Sequence, residues 1–310
     1  MASTITITRE RPSGKLFETN STLRVKEPFA LGQSARFLNG FRPMAAEQEV
    51  DRNTITKALM INGQAVVFRL RERSGVNNSL DCTLFSKESI SSGLKDQATK
   101  RISFFLSLED DLDPFYQIVK RDDPEFLPVV NDLYGFHHVK FPSVLECAIW
   151  SILAQHSPLA LSRKQKSAIT KSYGEDIKLD GTTYWAFPDH GRLAEVGFEE
   201  VAKVINNRRK SEYLVSLLNA YPELDQEEMM KLDYEQAKQR LMQIKGIGEW
   251  SSSFILTRGM GRMEGLPSNL RKEIPRVDEV YKTQMTADRV KSIYGKWVGY
   301  WLLYLWAHGI

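Results

Sequence analysis

The stretch Leu241-Met-Gln-Ile-Lys-Gly-Ile-Gly-Glu-Trp250 reads as the end of one helix, a tight turn and the start of a second helix. Arg240, Leu241 and Ile244 close the first helical period, and Trp250, Phe254 and Ile255 resume one after the break. Gly246 and Gly248 mark the turn, because a glycine inside a helix costs about 1 kcal/mol relative to alanine and glycine adopts positive φ without steric penalty. A helix starting here aims its unpaired N–H groups and positive dipole end at whatever lies in front, which suits an anion such as phosphate. Lys245 stands in the turn. Ser251, Ser252 and Ser253 follow, where hydroxyls cap a helix or touch phosphate. A ligand-free αα-hairpin with a Gly-x-Gly turn is the plain alternative.

The chain around this turn has 310 residues, enough for two or three domains with ample core. Its 42% hydrophobic and 26% charged residues are ordinary for a globular protein, and a net charge of +3 excludes a basic coating protein. From Lys245 onward, however, ten basic residues stand against six acidic ones, a local excess that favours phosphate. Cys82 and Cys147 are expected to be buried thiols in a reducing compartment, and two cysteines are too few for a four-cysteine iron–sulfur cluster. No apolar run approaches a membrane span, and the N-terminus lacks a basic segment followed by an apolar core. A cytoplasmic location is expected, nucleoid-associated in a prokaryote, with no membrane partner and no metal.

Residues 1–105 read as β-rich. Ser3 to Thr8 alternates, the run 58–71 reads as two strands about an Asn62-Gly63 turn, and Ser79 to Phe85 reads as another strand. Residues 28–38 read as a helix, so this region is expected to be a small antiparallel sheet with one or two helices. After Asp110 the pattern turns helical: Pro114 fits a first helical turn, and Pro142 to Gln155 is apolar nearly all round, marking a helix central to a bundle. Further helices are expected over 159–173, 190–196, 198–204, 208–220, 226–231, 234–243, 249–259, 268–274, 286–295 and 297–308. The fold class is therefore α+β and mostly α-helical, divided at 1–105 and 106–310.

Three other segments, in order with the hairpin, carry a resemblance: Ala148-Ile-Trp-Ser-Ile-Leu-Ala-Gln155, Trp185-Ala-Phe-Pro-Asp-His-Gly-Arg-Leu-Ala194 and Trp297-Val-Gly-Tyr-Trp-Leu-Leu-Tyr-Leu-Trp306. Together they resemble the helix-hairpin-helix DNA glycosylases, in the 3-methyladenine DNA glycosylase II branch. The likeness is good over 105–310 and fainter before it. It implies two helical layers with a cleft between them and a double-stranded DNA partner that contains a damaged base. The base would be flipped out and its N-glycosidic bond hydrolysed, since that bond cannot be attacked inside the stack. It further implies backbone contact by Lys245, Gly246, Ile247, Gly248 and Ser251. Trp306, Trp250, Tyr300 and Gln155 would form the base pocket, where aromatic faces suit a cationic base. Core packing is the alternative for each aromatic residue, and helix-end capping is the alternative for Gln155. No cofactor is implied, although the hairpin carbonyls leave room for a monovalent cation, and the protein is expected to be a monomer.

The family carries its catalytic aspartate after the second hairpin helix, following Leu-Pro. Here the segment reads Gly265-Leu-Pro-Ser-Asn-Leu-Arg-Lys-Glu273, with no aspartate before Arg276. Either Asn269 replaces the aspartate or a short deletion follows it. Both remove the carboxylate that stabilises an oxocarbenium-like transition state. Glu273, one turn on, is a candidate substitute, with a surface glutamate as its alternative reading. The bifunctional branches carry a Schiff-base lysine two residues past the second hairpin glycine. Trp250 stands there, which implies a monofunctional enzyme without lyase activity. Two readings follow: a base-excision glycosylase for alkylated, 3-methyladenine-type bases, or an impaired relative that binds damaged or distorted DNA.

Overall fold

The computed structural model describes residues 15–73, 78–266, 277–282 and 285–308. Strands β1 (Phe17–Arg24), β2 (Gln48–Val50), β3 (Thr54–Ile61), β4 (Gln64–Glu72) and β5 (Ser79–Ser86) form one antiparallel sheet, in the order β1-β5-β4-β3-β2. The β3–β4 turn lies at Asn62 and Gly63, with φ of 49° and 78°, and pairs Ile61 with Gln64. Positive φ at both central residues is what a two-residue hairpin needs to match the strand twist, so Asn-Gly set this register. Ser3 to Thr8 lies outside the described residues. Helices α1 (Leu31–Gly40) and α2 (Ser92–Leu106) pack on the sheet.

Val66, Phe68 and Leu70 point to the main core while Ala65 and Val67 point to the other face, the period of two that a strand imposes. That second face is not open to water. Strands β6 (Glu175–Leu179) and β7 (Thr182–Ala186), from the region expected to be helical, form a hairpin over it. Ile177, Leu179, Tyr184 and Ala186 pack there against Ala58, Met60, Val67 and Phe85. With both faces covered, every residue of β3 after Thr54 is buried, and its second half, Ala58 to Ile61, is apolar throughout.

The remaining chain is helical: α3 (Asp113–Asp122), α4 (Leu127–Asp132), α5 (Val144–Ala154), α6 (Leu159–Tyr173), α7 (His190–Leu193), α8 (Phe198–Ile205), α9 (Arg208–Ala220), α10 (Gln226–Lys231), α11 (Tyr234–Met242), α12 (Glu249–Phe254), α13 (Val277–Val280), α14 (Ala287–Tyr294) and α15 (Val298–Ala307). Helix α12 continues as a π-helical stretch, Ile255–Met260. Every residue from Val144 to Leu153 is buried, so α5 is the central helix, started by the Ser143 hydroxyl accepting from the Glu146 amide. Helix α15 is tied down by tyrosines: Tyr304 Oη donates to the Phe136 carbonyl at 2.9 Å and meets Tyr116 Oη at 2.8 Å. The Gly299 amide donates to the Met263 carbonyl at 2.6 Å, an approach that a Cβ, 2.4 Å from that oxygen, would block. The apolar core runs unbroken from Leu23 and Phe68 through α5 to α15, across the position where the sequence changes character.

A buried ionic group joins the two regions. Lys166, 1% exposed, bridges Glu146 at 2.7 Å and Glu47 at 2.6 Å, while Glu47 also meets Lys57 at 3.2 Å. Burial alone would raise the Glu47 carboxyl, but Lys166 and Lys57 outweigh it and hold the group below the ordinary carboxylate range. A depressed folded pKa gives stability that is present above the unfolded value and lost as pH falls through the folded one. We therefore expect Lys166→Met to lower stability by about 3–5 kcal/mol, because it strands the buried Glu146 carboxylate and takes one of two cations from Glu47. We also expect the mutant's deficit to shrink as pH falls through the depressed range of Glu47, where the wild type loses the same stabilisation. Chemical denaturation at pH 7 and at about pH 3 measures both, and an equal loss at the two pH values would contradict the ionic account.

Candidate functional site

Helix α11 starts at Asp233, whose carboxylate accepts from the Gln236 amide, and ends in the expected turn. Ile247, 4% exposed, plugs the turn into the core, and its amide donates to the Ile244 carbonyl at 3.0 Å. The two glycines then do different work. Gly246 has φ of +94°, and a Cβ there would lie 2.3 Å from the Tyr213 ring. Gly248 has φ of −104°, with nothing within 4 Å of where its Cβ would stand. Gly246 is thus required by the fold, whereas Gly248 leaves space open in front of the α12 N-terminus. That space is a cleft of about 430 Å³ lined by Gln155, His156, Tyr213, Gly246, Ile247, Gly248, Glu249, Trp250 and Ser251. The bend faces outward, with room for an anion.

Gln155 ends α5 and turns its side chain into this bend. Its Nε2 donates to the Gly246 carbonyl at 2.7 Å and to Ser251 Oγ at 2.8 Å. Its side chain lines the cleft and staples the bend to the end of α5 across 91 residues of chain. Ser251, expected at phosphate, is instead 2% exposed and committed to Gln155. Lys245 is exposed, paired with Glu212 at 3.1 Å, and an exposed pair of this kind is held by less than about 1 kcal/mol. The Glu249 carboxylate, at the head of α12, is drawn to Lys238 at 2.5 Å. The local excess of basic residues is smaller at the surface than in the sequence, since Arg258 and Arg262 are buried. Arg262 donates to the Met229 and Leu232 carbonyls and to Glu264. Of the hairpin carbonyls considered for a cation, Ile244 and Gly246 each already accept a hydrogen bond. Among the described residues, no group of three or more His, Cys, Asp or Glu side chains is placed to hold a metal.

The aromatic candidates separate. Trp250 is 50% exposed, lines the cleft and stacks on Phe254 at 5.1 Å. Trp306, 42% exposed, sets its ring against Phe37 and Phe41 at 5.5 and 6.3 Å. Between them run Phe254–Phe141 at 5.9 Å and Phe141–Phe41 at 5.8 Å, so one row of rings links the hairpin to Trp306. Tyr300 does not join it. Expected in the base pocket, it is 2% exposed and donates to Asp110, while its oxygen accepts from the His138 amide. Burial, then the Asp110 carboxylate, pushes its hydroxyl pKa well up, so it is a neutral core donor. Asn269 and Glu273 lie outside the described residues.

Two features had no reading in the sequence. His156 is exposed at the rim of the cleft with φ of +47°, a conformation that L-residues seldom adopt. Its position after the last turn of an apolar helix was the available signal. The other is the burial of Arg258, counted in the sequence only as one of ten basic residues.

No family model matches the chain. It is 29% identical over 214 residues to the DNA-3-methyladenine glycosylase of Bacillus subtilis, covering 68% of this chain and 69% of that one. It is 27% identical over 164 residues to DNA-3-methyladenine glycosylase 2 of Escherichia coli, covering 52% of this chain and 56% of that one. The 3-methyladenine DNA glycosylase of Archaeoglobus fulgidus shares the fold, with a TM-score of 0.72 at 18% identity over 92% of this chain and 97% of that one. With its open glycine bend and α+β architecture, the chain is thus similar in sequence to 3-methyladenine DNA glycosylases and shares the fold of one of them.

Proposed function

We propose that this protein is a monofunctional DNA glycosylase of base-excision repair, which holds duplex DNA at the hairpin and hydrolyses the N-glycosidic bond of an extruded alkylated base. The observation that carries this reading is the open cleft at Gly248, joined by a row of aromatic rings to the half-exposed Trp306. Backbone amides at the bend meet phosphate oxygens without reading sequence, which positions the duplex. Trp250 and Trp306 offer exposed ring faces, and base–aromatic stacking is tolerant of base identity. Opening a damaged pair costs less than opening an intact one, so extrusion itself selects lesions. Trp250 in place of a Schiff-base lysine leaves hydrolysis without strand cleavage.

The chemical step is where the second reading gains support. Gly265-Leu-Pro-Ser-Asn269 offers no carboxylate, and an amide cannot offset the positive charge that develops on the sugar. A glycosylase-like protein that binds damaged DNA without releasing the base is the alternative. Duplexes carrying 3-methyladenine, hypoxanthine or uracil, incubated with the protein and then treated with alkali, separate the two. Strand breaks that appear only after alkali support the enzyme; none at excess protein, with tight binding to an abasic duplex, leaves the binding protein. If Asn269 stands at the aspartate position, Asn269→Asp should raise excision by about a hundredfold or more. An unchanged rate would favour the alignment in which a short deletion follows Asn269.

Binding is testable separately through the two glycines. Gly248→Ala should fold normally and weaken affinity for damaged and undamaged duplexes alike, because its methyl group enters only the space in front of the helix. Gly246→Ala should instead cost roughly 1–3 kcal/mol of stability, from left-handed strain and the Tyr213 clash. Fluorescence anisotropy with two unrelated duplexes and a thermal melt give both readouts. Sequence-dependent loss in Gly248→Ala, or a flat dependence of affinity on salt, would count against backbone contact.

A further inference from the structure

A second cavity, of about 290 Å³, lies at the opposite end of α5 from the glycine bend. Ser143 and Leu145 line it where α5 starts, and Gln155 ends that helix, so roughly 18 Å of helix separates the two openings. Its walls come from both regions of the chain: Met60 and Arg101 from the sheet region, and Phe187, His190 and Tyr221 from the helical one. Small-molecule sites form preferentially in such seams, and this volume is close to the lower end of their range. His190 Nε2 donates to the Leu218 carbonyl at 2.9 Å, and its ring stacks on Tyr221 at 5.4 Å, so the two rings make one fixed wall.

The lining has protons to donate and few lone pairs left to accept. Arg101 uses one N–H on the Pro142 carbonyl at 3.2 Å, and the rest of its fork has no protein partner among the described residues. Tyr221 Oη accepts from Gln226 Nε2 at 3.4 Å and stands near the Arg101 charge. Burial raises its pKa, so the hydroxyl keeps a proton that no described group accepts. Ser143 Oγ accepts from the Glu146 amide at 3.1 Å and likewise has no described acceptor for its own proton. The carboxylates of the lining are already engaged: Glu146 by Lys166 at 2.7 Å, Asp189 by the Gly63 and Arg192 amides at 2.6 and 3.2 Å. We propose that this cavity binds a small organic carboxylate, held by the Arg101 fork with Tyr221 as second donor, its apolar body against Met60, Leu145 and Phe187. The paired N–H groups of a guanidinium match the two oxygens of a carboxylate. Arg101 is the only Lys or Arg among the described lining residues, so it balances a monoanion but not a phosphate dianion. The ligand touches both regions and therefore stabilises the folded chain by mass action. Neither the hairpin nor DNA takes part.

Isothermal titration with benzoate, with benzamide as its uncharged counterpart and with inorganic phosphate as competitor, at constant ionic strength, tests this. Wild type should bind benzoate about tenfold or more tighter than benzamide, the span of a charged hydrogen-bonded contact, and phosphate should not displace it. Benzoate at about ten times its Kd should raise the melting temperature by about 2 °C. Arg101→Met should weaken benzoate binding about tenfold or more, and Tyr221→Phe, which removes one neutral donor, about threefold. Gly248→Ala, which fills the space at the hairpin, should leave benzoate affinity unchanged. Should Arg101→Met fail to fold, Arg101→Lys keeps the charge without the paired donors and should still weaken binding about threefold or more. No benzoate binding, benzamide bound equally well, or displacement by phosphate overturns the proposal. So does an affinity that survives both Arg101 substitutions, or one that falls in Gly248→Ala, which would place the anion at the hairpin instead.

Discussion

The side-chain amide of Gln155 holds the site together. By donating to the Gly246 carbonyl and to Ser251, it fixes the glycine bend to the end of α5, the most deeply buried helix of the protein. Charge-free hydrogen bonds of this kind contribute about 1 kcal/mol each to stability. Their larger effect is geometric: they leave the bend one orientation relative to the core. Ile247 inserted below it and Tyr213 packed behind Gly246 complete the support. Only the front is left free.

From that fixed point a row of aromatic rings extends across the molecule. Trp250 sits on the first turn of α12 and Phe254 one turn later, so their stacking is what helical spacing gives. Phe141 and Phe41 bring in the segment before α5 and the residue after α1, and Trp306 brings in the last helix. Five rings from four parts of the chain thus form one row, with the sheet region contributing to it through Phe37 and Phe41. The sheet region thus supports the ring of Trp306.

Local features were legible in the sequence, and long-range pairings were not. Asn62-Gly63 specified a turn because few dipeptides tolerate positive φ twice, and the apolar run of α5 could only be an interior helix. The glycine bend was legible for the same reason. Helix α2 was passed over although Leu94, Ala98, Ile102 and Phe105 recur at helical spacing. The β6–β7 hairpin was passed over despite alternation about Asp180-Gly181. Both signals were present, but neighbouring patterns had already set the expected class of each region. Gln155 and Arg258 are a different matter. What each touches lies in other parts of the chain, and charge counting treated a sealed guanidinium as surface. Tyr300 follows the other of its two readings, core packing, with its hydroxyl committed to Asp110.

The β6–β7 ribbon has a consequence for how the molecule behaves as a whole. By roofing the outer side of the five-stranded sheet with residues from the helical half, it makes each half supply part of the other's interior. Neither could be excised and remain dry inside. Heat or denaturant should therefore take the molecule apart in one cooperative step, and a proteolytic nick near the apparent seam would leave the fragments clasped rather than released.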